Sequence, residues 1–151
     1  MDIEKALFKL IDFCNANKIE YMITGTVALS MLGIPSEPHD IDIKVFGLNQ
    51  EQTAKLKELE ALSEVAEDKY EGLCYTFVVS GVKVNAILTS AEKYDDVMNQ
   101  GILVHIPDNN NVRCYTVRVQ RVFFALTDKM RLRRGKDNAF MLDLINKLSS
   151  L

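Results

Sequence analysis

Two aspartates separated by a single residue are the strongest chemical feature of the sequence. Segment 39–46 (HDIDIKVF) alternates polar and apolar residues, which predicts a strand with Asp40 and Asp42 on the same face. On such a strand the two carboxylates lie about 6.6 Å apart along the chain and can converge on one or two hard cations. Without a cation they would repel each other. The pair therefore predicts a Mg²⁺ site bridged by phosphate oxygens.

A glycine turn about fifteen residues before the first aspartate could hold those phosphates. Segment 20–24 (EYMIT) indicates a buried strand, Gly25 ends it, and segment 27–32 indicates a short helix. Glycine allows the backbone to turn sharply and to approach a phosphate, while the following helix offers unpaired N–H groups. Thr26 adds a hydroxyl donor. Gly25 and Thr26 are therefore predicted to bind the phosphates of a nucleotide.

Other recognisable chemistry is absent from the sequence. It contains no P-loop, dinucleotide-binding or nucleophile-elbow motif. His39 and His105 have no histidine or cysteine partners at metal-binding spacing. Cys14, Cys74 and Cys114 are odd in number and widely separated, which indicates neither a disulfide framework nor a zinc site. We expect all three to be buried free thiols.

The remaining elements are predicted from hydrophobic periodicity and turn residues. Amphipathic helices are expected over 2–17 and 51–66, and a hairpin over 73–80 and 82–88 that turns at Ser80 and Gly81. Ser90 is expected to cap a helix that extends to Met98. Later strands are expected over 102–106 and 112–119, followed by two C-terminal helices whose apolar stripes cover 122–130 and 140–148.

Composition is typical of one ordinary folded domain. The chain has 151 residues, of which 48% are hydrophobic and 26% charged, and we treat 1–151 as a single domain with a C-terminal helical annex from about 120. No apolar run approaches the ~18 residues that a membrane span needs. We therefore expect a cytoplasmic protein with no membrane contact. Segment 113–136 carries a net charge of +7 and the remainder −10, an asymmetry that could hold phosphates near a carboxylate-bound metal.

Two parts of the sequence resemble a known superfamily. Segment 23–29 (ITGTVAL), together with His39 to Ile43 (HDIDI), is similar to the signature of the polymerase-β-like nucleotidyltransferases. The tail, with ALTDK at 125–129 and RRGKD at 133–137, resembles the abortive-infection nucleotidyltransferases of bacterial toxin–antitoxin systems. The resemblance implies an α/β (α+β) fold with a mixed, short-stranded sheet. The helices are expected to lie on one side, with a C-terminal helical pair closing the cleft.

The resemblance also implies roles for particular residues. Asp40 and Asp42 would bind Mg²⁺, Gly25 and Thr26 would hold the terminal phosphates of a nucleoside triphosphate, and Lys129 would contact the triphosphate. Arg133 and Lys136 are further nucleotide-binding candidates in the same basic segment.

Asn85 is the main departure from the superfamily pattern, because relatives usually carry a third, catalytic aspartate there. Its amide oxygen could still contact a metal, but an amide cannot accept a proton as a general base. Two hypotheses follow, beside a third in which the chain is a structural or interaction protein and its acidic pair is only part of a polar surface. The first is a Mg²⁺-dependent nucleotidyltransferase acting on a hydroxyl of RNA, protein or a small molecule, with Asp40, Asp42 and Asn85 at the catalytic centre. The second is a degenerate scaffold that binds nucleotide or a protein partner, such as an antitoxin.

Overall fold

The computed structural model describes residues 3–59, 64–66, 74–107, 113–132 and 146. Its centre is a mixed seven-stranded sheet in the order β3-β4-β5-β2-β1-β7-β6. The strands are β1 (Glu20–Thr24), β2 (Asp40–Phe46), β3 (Glu64–Ala66), β4 (Cys74–Val79), β5 (Val82–Thr89), β6 (Gly101–Pro107) and β7 (Cys114–Gln120). The helices are α1 (Ile3–Ala16), α2 (Gly25–Met31), α3 (Gln50–Lys57), α4 (Tyr94–Met98) and α5 (Val122–Leu132).

The central strand β2 has two chemically different faces. Ile41, Ile43 and Val45 are buried and belong to the main core, which also contains the apolar stripe of α1 and Leu56 of α3. Asp40, Asp42 and Lys44 point to the opposite face and are half-buried. The alternation predicted from the sequence is therefore present, and it separates the apolar core from the polar face that carries the acids.

Helices cover both faces of the sheet, so the prediction of helices on one side is wrong. α1 and α3 pack on the apolar face, whereas Val97 of α4 packs against Met22 and Phe46 on the acidic face. α5 also lies on the acidic face, where Asp128 contacts Lys44. Met22 of β1 and Phe46 of β2 are apolar residues on the acidic face, and a helix must pack on them to bury them.

The hairpin prediction is confirmed by the pairing of β4 with β5. Ser80 and Gly81 form a two-residue connection in which both have positive φ, +48° and +80°. Two positive φ values are the geometry of the hairpin turn that matches the twist of the flanking strands. The strands pair antiparallel from Val79 opposite Val82 to Cys74 opposite Ile87.

Several element predictions need correction. The helix expected over 51–66 ends at Lys57, and Glu64–Ala66 instead forms a strand, because the edge of β4 offers it backbone hydrogen bonds. Ser90 precedes a short 3₁₀ turn, and its side chain makes no capping hydrogen bond. The second C-terminal helix, predicted around 140–148, lies outside the described residues apart from Asn146, which is helical.

The cysteine prediction is right for two of the three thiols. Cys14 and Cys74 are buried, but Cys114 is exposed at the start of β7, where the strand is uncovered. Of the helices that the structure describes, none is long and apolar enough to cross a membrane.

Burial of Cys14 predicts a loss of stability in alkaline solution. Burial raises the pKa of the Cys14 thiol from 9.0 to about 12. Burial, followed by the nearby Cys14 thiol, raises the pKa of Tyr21 to about 12. Above pH 9 the unfolded chain releases the Cys14 proton that the folded chain keeps, so stability falls by about 1 kcal/mol between pH 9 and pH 10. Above pH 10 the fall becomes steeper, because Tyr21 adds to it.

Urea unfolding between pH 7 and pH 10 measures this slope. Cys14→Ala should lower the free energy of unfolding at every pH but flatten its dependence on pH between 9 and 10. Cys114→Ala is the matched control and should keep the wild-type slope, because its thiol is exposed. Equal slopes in all three proteins would contradict the role of Cys14.

Candidate active site

A row of polar residues crosses the middle of the sheet on the acidic face. Asp42 on β2 lies opposite Thr24 on β1 and opposite Asn85 on β5, and Asn85 lies opposite Thr76 on β4. Residues paired across neighbouring strands present their side chains on the same face. Strand pairing alone therefore brings four polar side chains, distant in sequence, into one line.

Both aspartates converge on one atom of Asn85. Its Nδ2 donates to Asp42 Oδ1 at 2.9 Å and to Asp40 Oδ2 at 3.3 Å. The aspartates are half-buried, whereas Asn85 is only 1% exposed. The amide hydrogens offset the repulsion between the two carboxylates, because hydrogen bonds to ionised acceptors are strong.

Thr76 determines which way the Asn85 amide points. Its Oγ1 donates to Asn85 Oδ1 at 3.0 Å, on the side of the amide away from the acids. Every polar atom of the Asn85 side chain thus has a partner, as a buried amide requires. Thr76 was not singled out by the sequence analysis, but counting pairs outward from the Ser80 and Gly81 turn would have placed it opposite Asn85.

Gly25 is held directly against the acid pair. It has a positive φ of +65°, and a Cβ added there would lie 2.6 Å from Asp42 Oδ2. Any side chain at this position would push the Asp42 carboxylate away. The glycine turn and the second aspartate are therefore in contact. The helix that begins at Gly25 has only seven residues, so its dipole adds little to this site.

A second polar network joins the acidic face to α5. Lys44 lies two residues after Asp42, and its Nζ is 3.3 Å from Asp128 Oδ2. The same oxygen accepts a hydrogen bond from Gln120 Nε2 at 2.9 Å, and this Nε2 also donates to Gln100 Oε1 at 3.1 Å. These contacts link α5 to β2, the strand that bears the two acids. In the sequence, Lys44 is one residue of the alternating segment 39–46 and Asp128 is one residue of the motif at 125–129. Their contact was not predicted.

The structure describes only some of the remaining predicted site residues. Thr26 lies in the first turn of α2, half-buried, and its backbone oxygen accepts a hydrogen bond from Ser36 Oγ at 3.2 Å. Lys129 follows Asp128 in α5, but its side chain is not among those described. Arg133 and Lys136 lie outside the described residues. The contact of the basic segment with phosphate stays a prediction.

The donor atoms of the site suit a hard cation. Two carboxylates that approach a single nitrogen to within 3.3 Å lie close enough to each other to share one cation. Carboxylate and amide oxygens are ligands that Mg²⁺ prefers. Among the described residues no cluster of three or more histidines, cysteines or acids could hold a metal.

Solved structures with the same architecture are nucleotidyltransferase-like. A candidate nucleotidyltransferase from Thermotoga maritima superposes with a TM-score of 0.61, at 15% identity over 95% of this chain and 92% of its own. An antigenic nucleotidyltransferase-like protein from Paracoccidioides brasiliensis gives a TM-score of 0.54, at 14% identity over 94% of this chain and 72% of its own. ANT(2″)-Ia in complex with adenylyl-2″-tobramycin also gives 0.54, at 14% identity over 93% and 83%.

These comparisons show that the chain has the nucleotidyltransferase fold, as its sequence predicted. No protein-family model matches the chain. Its sequence matches no curated protein. At such low identity the likeness concerns the fold, and the activity has to be argued from the site itself.

The contact between Gly25 and Asp42 can be tested by substitution with alanine. Gly25→Ala should lower the free energy of unfolding by about 1–2 kcal/mol for the positive φ and by about 1–3 kcal/mol more for the clash. Gly47→Ala is the matched control, because Gly47 has a φ of +56° but nothing within 4 Å of an added Cβ. Urea unfolding measures both variants, and equal losses would contradict a specific clash at Asp42.

The network that fastens α5 can be tested at Lys44. Lys44→Met removes one partner of a pair whose side chains are 17% and 30% exposed, so we expect a loss of about 1–2 kcal/mol in unfolding free energy. Lys55→Met is the control, because Lys55 and Glu58 are 52% and 71% exposed and such pairs contribute about 0.5 kcal/mol or less. A loss at Lys44 no larger than at Lys55 would contradict the network's role.

Proposed function

We propose that the chain binds a nucleoside triphosphate with Mg²⁺ at Gly25, Asp40 and Asp42 and transfers a nucleotidyl group to a hydroxyl acceptor. The observation that carries this proposal is the convergence of both carboxylates on one point, 2.9 Å and 3.3 Å from it. A fold with a purely structural role would not need two like charges held together on its central strand.

Each residue of the site has a task in such a transfer. Asp40 and Asp42 would hold Mg²⁺, which when bound neutralises charge on the phosphates and on the departing pyrophosphate. Gly25 leaves room for phosphate oxygens beside Asp42, since it has no Cβ. The contact between Lys44 and Asp128 helps to hold α5 in place. Lys129 belongs to α5, and the rest of the basic segment, with Arg133 and Lys136, follows it in the sequence. These cations would stabilise the triphosphate.

The chemical step needs alignment more than covalent catalysis. The acceptor oxygen forms a bond to the α-phosphorus, the bond from that phosphorus to the bridging oxygen breaks, and pyrophosphate leaves while the hydroxyl proton passes to solvent. Asn85 cannot take this proton, so the chain would lack a general-base contribution of about 10²–10⁴ in rate. We therefore expect slow transfer. The acceptor class (RNA, protein or small molecule) is not distinguished by the site.

The Asn85 contacts favour a second candidate function. Because its amide hydrogens offset the repulsion within the acid pair, the site can persist without a metal, as a scaffold that only binds would require. In that case the chain would bind nucleotide or a protein partner without transfer. An antitoxin-like partner, suggested by the resemblance of the tail, belongs to this proposal. A cytoplasmic location, expected from the lack of a long apolar run in the sequence, belongs to both candidate functions.

Thermal unfolding tests nucleotide binding directly. We expect Mg²⁺ with at least one of the four ribonucleoside triphosphates to raise Tm, because a ligand at 100 times its Kd stabilises a fold by about 2.7 kcal/mol. The double variant Asp40→Ala/Asp42→Ala should lose this shift. Asp96→Ala, which removes an exposed acid of α4, is the matched control and should keep it.

Transfer itself separates the two candidate functions. The assay uses α-labelled triphosphates as donors and cellular RNA, protein and small-molecule fractions as acceptors. If the chain is an enzyme, we expect label in one of these fractions with the wild type and none with the double variant. Binding without transfer in the wild type, with transfer gained in Asn85→Asp, would favour the degenerate scaffold. No Tm shift with any triphosphate would contradict the enzyme and the nucleotide-binding form of the scaffold, and would leave only the binding of a protein partner.

A further inference from the structure

The Asn85 side chain is engaged at both ends, and its surroundings leave it only two orientations. Its nitrogen contacts Asp40 and Asp42, its oxygen contacts Thr76, and at 1% exposure it has no access to bulk water. A buried amide must satisfy its donors and its acceptor with the groups already around it. The amide can therefore point its nitrogen or its oxygen at the acids, and no third arrangement satisfies it.

When no cation is bound, the charge of Asp40 and Asp42 determines which of the two amide orientations is more stable. An amide oxygen facing two carboxylates would be repelled, while an amide nitrogen donates to both. The nitrogen therefore faces the acids in the metal-free chain. A cation between the carboxylates reverses this preference, since it repels the amide hydrogens and attracts the amide oxygen.

Thr76 is the one partner that suits both orientations. Its hydroxyl now donates to Asn85 Oδ1 at 3.0 Å, and a hydroxyl is also an acceptor with two lone pairs. If the amide turned over, the same hydroxyl could accept from Asn85 Nδ2. A residue that could only donate or only accept would support a single orientation.

We propose that Asn85 is a reversible amide switch anchored by Thr76. In the metal-free chain its Nδ2 donates to Asp40 and Asp42 in place of a cation. When Mg²⁺ enters, the side chain turns by half a rotation about its terminal bond, so that Oδ1 faces the cation and Nδ2 donates to Thr76. This inference rests on the proposed metal site at Asp40 and Asp42. It makes Asn85 a metal ligand and Thr76 a positioning residue.

The side-chain amide signal of Asn85 reports the switch without any measurement of activity. In ¹⁵N-labelled protein this signal is assigned by its absence from Asn85→Asp, and Mg²⁺ with inorganic triphosphate is then added. We expect the Asn85 signal to move in a saturable way, because its hydrogens leave two carboxylates for a neutral hydroxyl. Asn17, whose Nδ2 donates to the Phe13 carbonyl at 2.9 Å, supplies a control amide that should not move.

Two variants test the anchor and the ligand separately. Thr76→Ser keeps the hydroxyl and should keep the displacement of the Asn85 signal, whereas Thr76→Val should alter it. Asn85→Asp offers a charged ligand, so its Mg²⁺ affinity, measured by calorimetry, should rise by about ten-fold or more. It should also be less stable than the wild type in EDTA, because three carboxylates would then face one another without a cation.

The outcomes separate this inference from the proposed function. If Asn85→Asp binds Mg²⁺ but the wild-type Asn85 signal stays in place, the switch is wrong and the metal site stands. If the signal moves but Asn85→Asp binds Mg²⁺ no more tightly, ligation by Oδ1 is wrong. An unchanged displacement in Thr76→Val overturns the role of Thr76. If neither protein binds Mg²⁺, both the switch and the metal site fall.

Discussion

The mutual repulsion of Asp40 and Asp42 is the constraint on which the rest of the acidic face depends. Two carboxylates on alternate residues of a central strand must be separated, hydrated or neutralised. Here they are half-buried and converge, and hydrogen bonds from the amide of Asn85 offset part of their repulsion. Position 85, where the resemblance of the sequence led us to expect a third acid, thus holds an amide whose hydrogens offset the repulsion within the pair in the absence of a cation.

The architecture maintains this arrangement through strand pairing rather than through loops. β2 lies between β1 and β5, so its acids have neighbours on both sides that are fixed by backbone hydrogen bonds. Rigid strands hold polar groups in place better than flexible segments do. Gly25 permits the close approach from one side, and Asn85, held by Thr76, closes the other. The Lys44 contact with Asp128 then joins this strand to α5.

Local patterns predicted much of the fold, and they failed where pairing with distant segments decided the outcome. The hairpin at Ser80 and Gly81 was predictable because its turn residues lie between its own strands. The strand Glu64–Ala66 was not, since its conformation depends on the free edge of β4. The faces of the sheet that helices cover were likewise missed. α4 is placed by Met22 and Phe46, and α5 by Leu29 of α2 and by Lys44, all of which lie far away in sequence.

The sequence by itself determined the alternation that exposes Asp40 and Asp42 on one face, the glycine that precedes them and the presence of an amide at position 85. These are consequences of residue type and of short spacing, which local physics controls. Only the tertiary structure decided that Gly25 would touch Asp42, that Asn85 would donate to both acids, and that Asp128 would pair with Lys44. Those contacts depend on the register of β2 with its two neighbours β1 and β5 and on the packing of α5, and the free energy that selects them comes from the whole core.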